Sequence, residues 1–218
     1  MAYAHWDRWP FAALGLLLSV AWLIADGLDG MIARATGSAS PLGRALDGLC
    51  DHGVFVLIYV ALAISIGSAG AWLLAVTAGA AHALQSNLYE SERARFRRRC
   101  KGLGAPQVEE PSRNPLVRFY DHVARELGRP ADRFDAATAG CRASTALASA
   151  YGAAATPPMR LLSLLSANVR VYAIFAACMV GDPRWFWWFE LGPLTAILLA
   201  GLAWHRRVER RLVADLLQ

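Results

Sequence analysis

Four aspartates stand at helical spacing inside or beside stretches apolar enough to cross a bilayer, and few folds tolerate that. They are Asp26, Asp29, Asp47 and Asp51. An acid at the centre of a membrane helix costs about 2.5–3.5 kcal/mol on insertion scales, so four together call for a compensating cation or an ion path. Asp26, Asp29 and Ala33 share one helical face by i+3 and i+4 steps with Gly30 beside them, and Gly43, Asp47 and Asp51 recur at i, i+4 and i+8. Between the two stripes Gly37, Ser38, Ser40 and Pro41 are poor helix formers. The spacing therefore predicts two antiparallel neighbouring helices whose four acids meet near one membrane surface. Carboxylates converging there repel one another unless divalent cations lie between them, and hard oxygen donors of this kind suit Mg²⁺ or Mn²⁺.

Apolar residues make up 56% of the chain, above the usual share of about 45–50%, and lipid-facing surface accounts for the excess. Residues 9–34, 42–67, 71–90, 159–180 and 185–204 are each close to the roughly 20 residues a bilayer requires. Stretch 136–156, rich in Ala, Ser and Thr with Arg142 inside it, is weaker. Basic clusters fix the orientation. Arg93, Arg95, Arg97, Arg98, Arg99 and Lys101 follow the third span, and His205, Arg206, Arg207, Arg210 and Arg211 follow the last, so both ends are expected on the cytoplasmic side. That parity holds only if 136–156 does not cross. The expectation is an all-α, polytopic helix bundle of five spans, with the N-terminus outside and the C-terminus inside. Residues 1–218 then form a single membrane-embedded domain, with a cytoplasmic excursion at about 102–158.

The acidic stretch resembles the signature of the CDP-alcohol phosphotransferase (CDP-alcohol phosphatidyltransferase) family, D-x2-D-G-x2-A-R-x8-G-x3-D-x3-D. Asp26, Asp29, Gly30, Ala33, Arg34, Gly43, Asp47 and Asp51 fill it without substitution. The resemblance implies that an alcohol attacks the β-phosphorus of a CDP-linked donor, usually CDP-diacylglycerol, and CMP leaves. It also implies two divalent cations, Mg²⁺ or Mn²⁺. By the same resemblance Asp26, Asp29 and Asp47 are metal ligands, and Asp51 is both a metal ligand and the general base toward the acceptor hydroxyl. Nucleotide contact falls to Asp29, Gly30, Ala33, Arg34 and Gly43. Missing or short side chains let a nucleotide lie against the backbone, although small residues also let membrane helices pack closely. Arg34 offers a planar fork to a phosphate oxygen, and an inside anchor at a helix end looks the same. Family members usually carry six spans with the motif between the second and third. One helix precedes it here, so the resemblance implies either a further helix upstream or a short variant.

Other residues say less. Arg170 lies in the middle of an apolar helix and must meet an anion there. A phosphate on donor or acceptor, one of the motif acids and a backbone carbonyl are all candidates. Arg160 reads as an inside anchor, and the run 93–101 either binds anionic head groups or is solvated positive charge. Trp185, Phe186, Trp187, Trp188 and Phe189 read as an interfacial aromatic belt. Cys50, Cys100, Cys141 and Cys178 have no paired spacing and are expected to be reduced. His52 and His82 are expected to be packing residues. The basic balance is explained by topology, without nucleic acid.

The sequence thus predicts a multi-pass protein of the bacterial inner membrane with its active site facing the cytoplasm. Its expected reaction is transfer of a phosphatidyl group from CDP-diacylglycerol to a small polar alcohol of the glycerol 3-phosphate or inositol phosphate type, with Arg170 holding the acceptor phosphate. Membrane lipids and a second copy in a homodimer are the expected partners. A CDP-aminoalcohol donor with a diacylglycerol acceptor is the alternative within the family. A cation transporter using intramembrane aspartates is the alternative outside it.

Overall fold

In the computed structural model, residues 2–37, 41–102, 134–136, 138 and 145–216 are described. The side chains of 34, 41–49, 51, 145 and 216 are not among them. Among the described residues the regular elements are helical: α1 (Trp9–Ala35), α2 (Pro41–Ile66), α3 (Ala69–Cys100), α4 (Thr145–Leu162), α5 (Ala167–Val180), α6 (Arg184–Phe189) and α7 (Thr195–Leu216). Short 3₁₀ turns cover Ala2–His5 and Ser163–Leu165, and one π-turn covers Glu190–Leu194. The all-α membrane-type architecture agrees with the sequence. Most of the predicted excursion lies outside the described residues.

The chain forms two compact units. The first comprises Met1–Ala83 and Ser166–Thr195. Its core joins Tyr3 and Ala12 to Phe55, Tyr59 and Leu62 of α2, and to Val171 and Ile174 of α5. Ala71, Ala75 and Ala78 of α3, spaced by four and three residues, are buried there as well, and their small side chains let neighbouring helices approach. Gly15 of α1 has a specific reason. A Cβ there would stand 2.7 Å from Cε1 of Tyr3, so the tyrosine ring lies directly against the helix backbone. Helix α5 ends at Gly181, whose φ of +89° suits the left-handed cap and whose N–H donates to the carbonyl of Cys178 at 3.0 Å.

The outer faces of this unit are apolar. Trp9, Leu17, Ile24, Met31 and Ile32 of α1 are all exposed, which fits contact with lipid tails rather than water. Trp9–Ala33 and Arg184–Asp215 are long and apolar enough to cross a membrane, and Ala146–Leu165 with Ala167–Val180 makes a third if the pair is one broken span. Within α3 the run His82, Gln85, Ser86, Asn87 dilutes the apolar character, and within α2 the described apolar stretch is the shorter His52–Ile66. The aromatic run 185–189 is divided. Trp185 and Trp188 are exposed, as a belt requires, whereas Phe186 and Trp187 are buried, with Trp187 stacked on Tyr59 at 6.4 Å between ring centroids.

The second unit comprises Leu84–Leu165 and Ala196–Gln218. Phe134, Tyr151 and Ala155 form its small apolar core, with Phe96, Val208 and Leu212 packed against them. Around that core runs a continuous polar network. Arg99 donates to Asp135 at 2.9 Å and to the Tyr151 hydroxyl at 3.1 Å, and is paired with Glu209. Tyr151 and His205 Nε2 are 2.9 Å apart, and His205 Nδ1 is 2.9 Å from Glu92. Arg206 bridges Glu92 at 2.6 Å and Glu209 at 3.1 Å, while Arg95 reaches Glu92 at 2.9 Å. Much of the positive charge that the sequence assigns to solvated inside anchors is therefore spent on buried acids. Cys50, Cys100 and Cys178 are free thiols; Cys141 lies outside the described residues.

Candidate functional site

Helices α1 and α2 carry the motif, and one contact sets their register. Trp22 of α1 meets Phe55 of α2 edge-on, with ring centroids 5.9 Å apart. Ser65, near the far end of α2, donates to the carbonyl of Ala4 at 2.8 Å, so the two helices run antiparallel. Asp26 is half-buried, Asp29 is exposed, and Gly30 and Ala33 are half-buried. The side chains of Arg34, Gly43, Asp47 and Asp51 lie outside the described residues, so their positions are known along the helix only.

Beside this hairpin, α2 and α3 enclose an apolar pocket of about 190 Å³. It begins at His52, the residue after Asp51, and continues past Phe55 and Tyr59 on α2 and past Trp72, Gly79 and His82 on α3. His52 is exposed and its ring centroid is 6.4 Å from that of His82. His82 is 6% exposed. Its Nδ1 lies 3.2 Å from Glu190 Oε1, the same oxygen that accepts from Arg170 Nε at 2.9 Å. Arg170 and Glu190 are 1% and 0% exposed. The cation on α5 thus meets a carboxylate of the π-turn, an acid outside the motif. Glu190 is none of the partners that the sequence suggests for Arg170, which are motif acids, carbonyls and phosphates. The available signal was a lone acid in an otherwise apolar aromatic run, which needs a partner as much as Arg170 does.

A second acidic group lies in the other unit. Glu92, His205 and Glu209 offer ligand atoms within 4.8 Å of one another, all buried. Burial pushes the Glu92 carboxyl up, but the His205 hydrogen bond and the charges of Arg206, His205 and Arg95 outweigh it and hold the carboxyl at about 2. Arg95, Arg99 and Arg206 already answer the negative charge of Glu92, Glu209 and Asp135. A divalent cation there would meet arginines first. The 26–51 stretch is different, with four aspartates against Arg34 and Arg44. Hard carboxylate oxygens are the donor chemistry that Mg²⁺ or Mn²⁺ requires, and the arginines beside Glu92 and Glu209 make that buried cluster an ion-pair network.

Fold and helix positions define an all-α protein of the membrane type, with an acidic motif on one antiparallel helix pair. Residues 2–97 match the family model described as CDP-alcohol phosphatidyltransferase. The segment holds the whole motif, from Asp26 to Asp51. No curated protein and no solved structure matches the chain.

Proposed function

We propose that the protein transfers a phosphatidyl group from CDP-diacylglycerol to an alcohol and releases CMP, as a step of phospholipid synthesis. The observation that carries this reading is the complete eight-position motif on α1 and α2 inside the matched segment. Asp26, Asp29, Asp47 and Asp51 would hold two divalent cations, Mg²⁺ or Mn²⁺, which when bound neutralise the charge of the diphosphate. Gly30, Ala33 and Gly43 leave room for the nucleotide, and Arg34 holds a phosphate oxygen. Asp51 takes the proton of the acceptor hydroxyl as the new O–P bond forms, and the bond from phosphorus to CMP breaks. Five crossings, with the motif end of α1 and α2 on the cytoplasmic side of a bacterial inner membrane, complete the reading, and a homodimer is its expected assembly.

The acceptor is the open choice. A phosphate-bearing acceptor of the glycerol 3-phosphate or inositol phosphate type would reach Arg170 only by sharing or displacing Glu190. Arg170→Gln should raise the KM of such an acceptor with little change in that of the donor; equal damage to both makes the residue structural. The second reading, a CDP-aminoalcohol donor with a diacylglycerol acceptor, is supported by the uncharged pocket beside α2. CMP release from each donor, with and without Mg²⁺ or Mn²⁺, across a panel of alcohols tests both. Cation flux in liposomes without CMP release would replace them by the transporter reading.

A further inference from the structure

We propose that the pocket between the start of α3 and the α5–α6 corner binds the headgroup of a zwitterionic phospholipid, with its phosphate on Arg184 and Ser68 and its ammonium against Asp182, Trp185 and Trp188. The pocket has a volume of about 580 Å³, within the roughly 300–1,000 Å³ of a site that holds a small molecule. Ser68, Gly70, Asp182, Arg184, Trp185 and Trp188 are among its lining residues, so one cation, one anion and two indoles share it. It lies at the end of the helices away from the motif. From Asp51 to Ile66 helix α2 rises about 22 Å, and Ser68 follows directly. Arg184 also opens the long apolar stretch Arg184–Asp215. Trp185 and Trp188 are exposed there, where indoles favour the headgroup level of a bilayer. A ligand in this pocket is therefore separate from the donor and acceptor of the proposed reaction.

The two charges hold each other in place. Nε of Arg184 donates to Oδ1 and Oδ2 of Asp182 at 2.9 and 3.0 Å, and Nη2 lies 2.8 Å from Oδ2. The Arg184 backbone N–H donates to Oδ1 at 3.0 Å. Nη1 has no partner among the described residues and keeps both hydrogens for a phosphate oxygen. Ser68 is in the same condition: its Oγ accepts from the N–H of Ala71 at 3.2 Å, which leaves its own hydrogen for a second oxygen. The Asp182 side chain is 32% exposed, so an ammonium group can reach it, and the indole faces attract a cation as well. A simple anion or a simple cation would meet one repelling partner here, whereas a ligand carrying both charges answers both. The source of the headgroup follows from the neighbouring surface. Leu73 and Val76 of α3 and Met179 and Val180 of α5 are exposed apolar residues. Acyl chains can lie on them, and a free solute uses none of that surface.

The test uses the full chain in non-ionic detergent micelles and a phosphatidylethanolamine with a diazirine on one acyl chain, close to the glycerol. After irradiation, the label should map to segments 68–76 and 179–188. Unlabelled phosphatidylethanolamine should compete about tenfold better than phosphatidylglycerol, which has the phosphate without the ammonium, the scale of one partly desolvated cation–π contact. Trp188→Leu should narrow that difference, and Arg184→Gln should weaken labelling about tenfold, the scale of a lost charge-assisted hydrogen bond. Gly70→Leu should abolish labelling; a Cβ at Gly70 meets nothing within 4 Å, so this variant fills the pocket without a clash. Soluble phosphoethanolamine should compete only at far higher concentration. Equal competition by phosphatidylglycerol, or by phosphoethanolamine at the concentration of the lipid, would overturn the proposal. So would stronger competition by CDP-diacylglycerol, labelling that survives in folded Gly70→Leu, or labelling spread evenly over exposed positions such as Leu17 and Leu199.

Discussion

The two acidic groups of this protein are built on opposite principles. In the second unit Glu92, Glu209 and Asp135 are met by Arg95, Arg99 and Arg206, and His205 and Tyr151 link them into one hydrogen-bonded chain. Charge is balanced inside the protein. In the motif, four aspartates share the 26–51 stretch with two arginines, and Asp29 is exposed. The balance proposed there is two divalent cations. Number of acids alone is thus a poor guide to metal binding; the count of cations that the fold delivers to them decides it.

The largest effect that sharpens this contrast is expected at Asp51. Asp51→Asn should lower turnover by about 10²–10⁴-fold while Mn²⁺-dependent CDP binding persists, because a positioned base contributes on that scale. Turnover within about tenfold of the parent would take the base role from Asp51. Asp26→Ala should act earlier in the reaction, weakening CDP binding in Mn²⁺ titrations; unchanged affinity would break the assignment of this group as the one that needs external charge.

In the second unit, Glu92→Leu should destabilise the fold by about 3–5 kcal/mol, since it strands buried arginines. Neither Mg²⁺ nor EDTA should alter the unfolding midpoint of the parent protein through this cluster. A metal-dependent midpoint in a chain already lacking Asp26 and Asp47 would turn the network into a second metal site. The pH dependence carries a sign. The Glu92 carboxyl is held at about 2 in the folded protein against an ordinary value of 4.5. Its contribution is therefore full above about 4.5 and is lost as pH falls toward 2. The stability gap between the parent and Glu92→Gln should be constant from pH 7 to 5 and narrow below 4.5. A gap that widens on acidification would contradict the ion-pair assignment. The smallest effect is expected at Gly15→Ala, where the new Cβ meets the rigid Tyr3 ring. A loss of about 1–3 kcal/mol in detergent is expected, with metal-dependent CDP binding intact.

Much of the first unit is legible in the sequence. The motif names its helices, the poor helix formers at 37–41 mark their connection, and bilayer-length apolar runs announce helices that tolerate lipid. Many of the buried partners are not legible: Arg95–Glu92 and Arg206–Glu209 pair at i,i+3, but other ion pairs join residues far apart in the chain. Arg170 with Glu190, and Arg99 with Glu209, are separated by 20 and 110 positions. Periodicity assigns a side chain to a face and says nothing of what the face meets. The aromatic run 185–189 illustrates this, since one helical turn puts Trp185 and Trp188 outward and Trp187 against Tyr59.

What the sequence determined by itself is the all-α class and the motif with its family resemblance, because both rest on local spacing: helical period, apolar length and the register of eight residues within one short stretch. What only the tertiary structure decided is which charges are answered from within. Coulomb attraction and hydrogen bonding fall off over a few ångströms, so the partner of a buried acid is set by which helices pack together. That packing gave Arg170 to Glu190, balanced Glu92 and Glu209 with three arginines, and left His82 facing an uncharged pocket beside the motif helix.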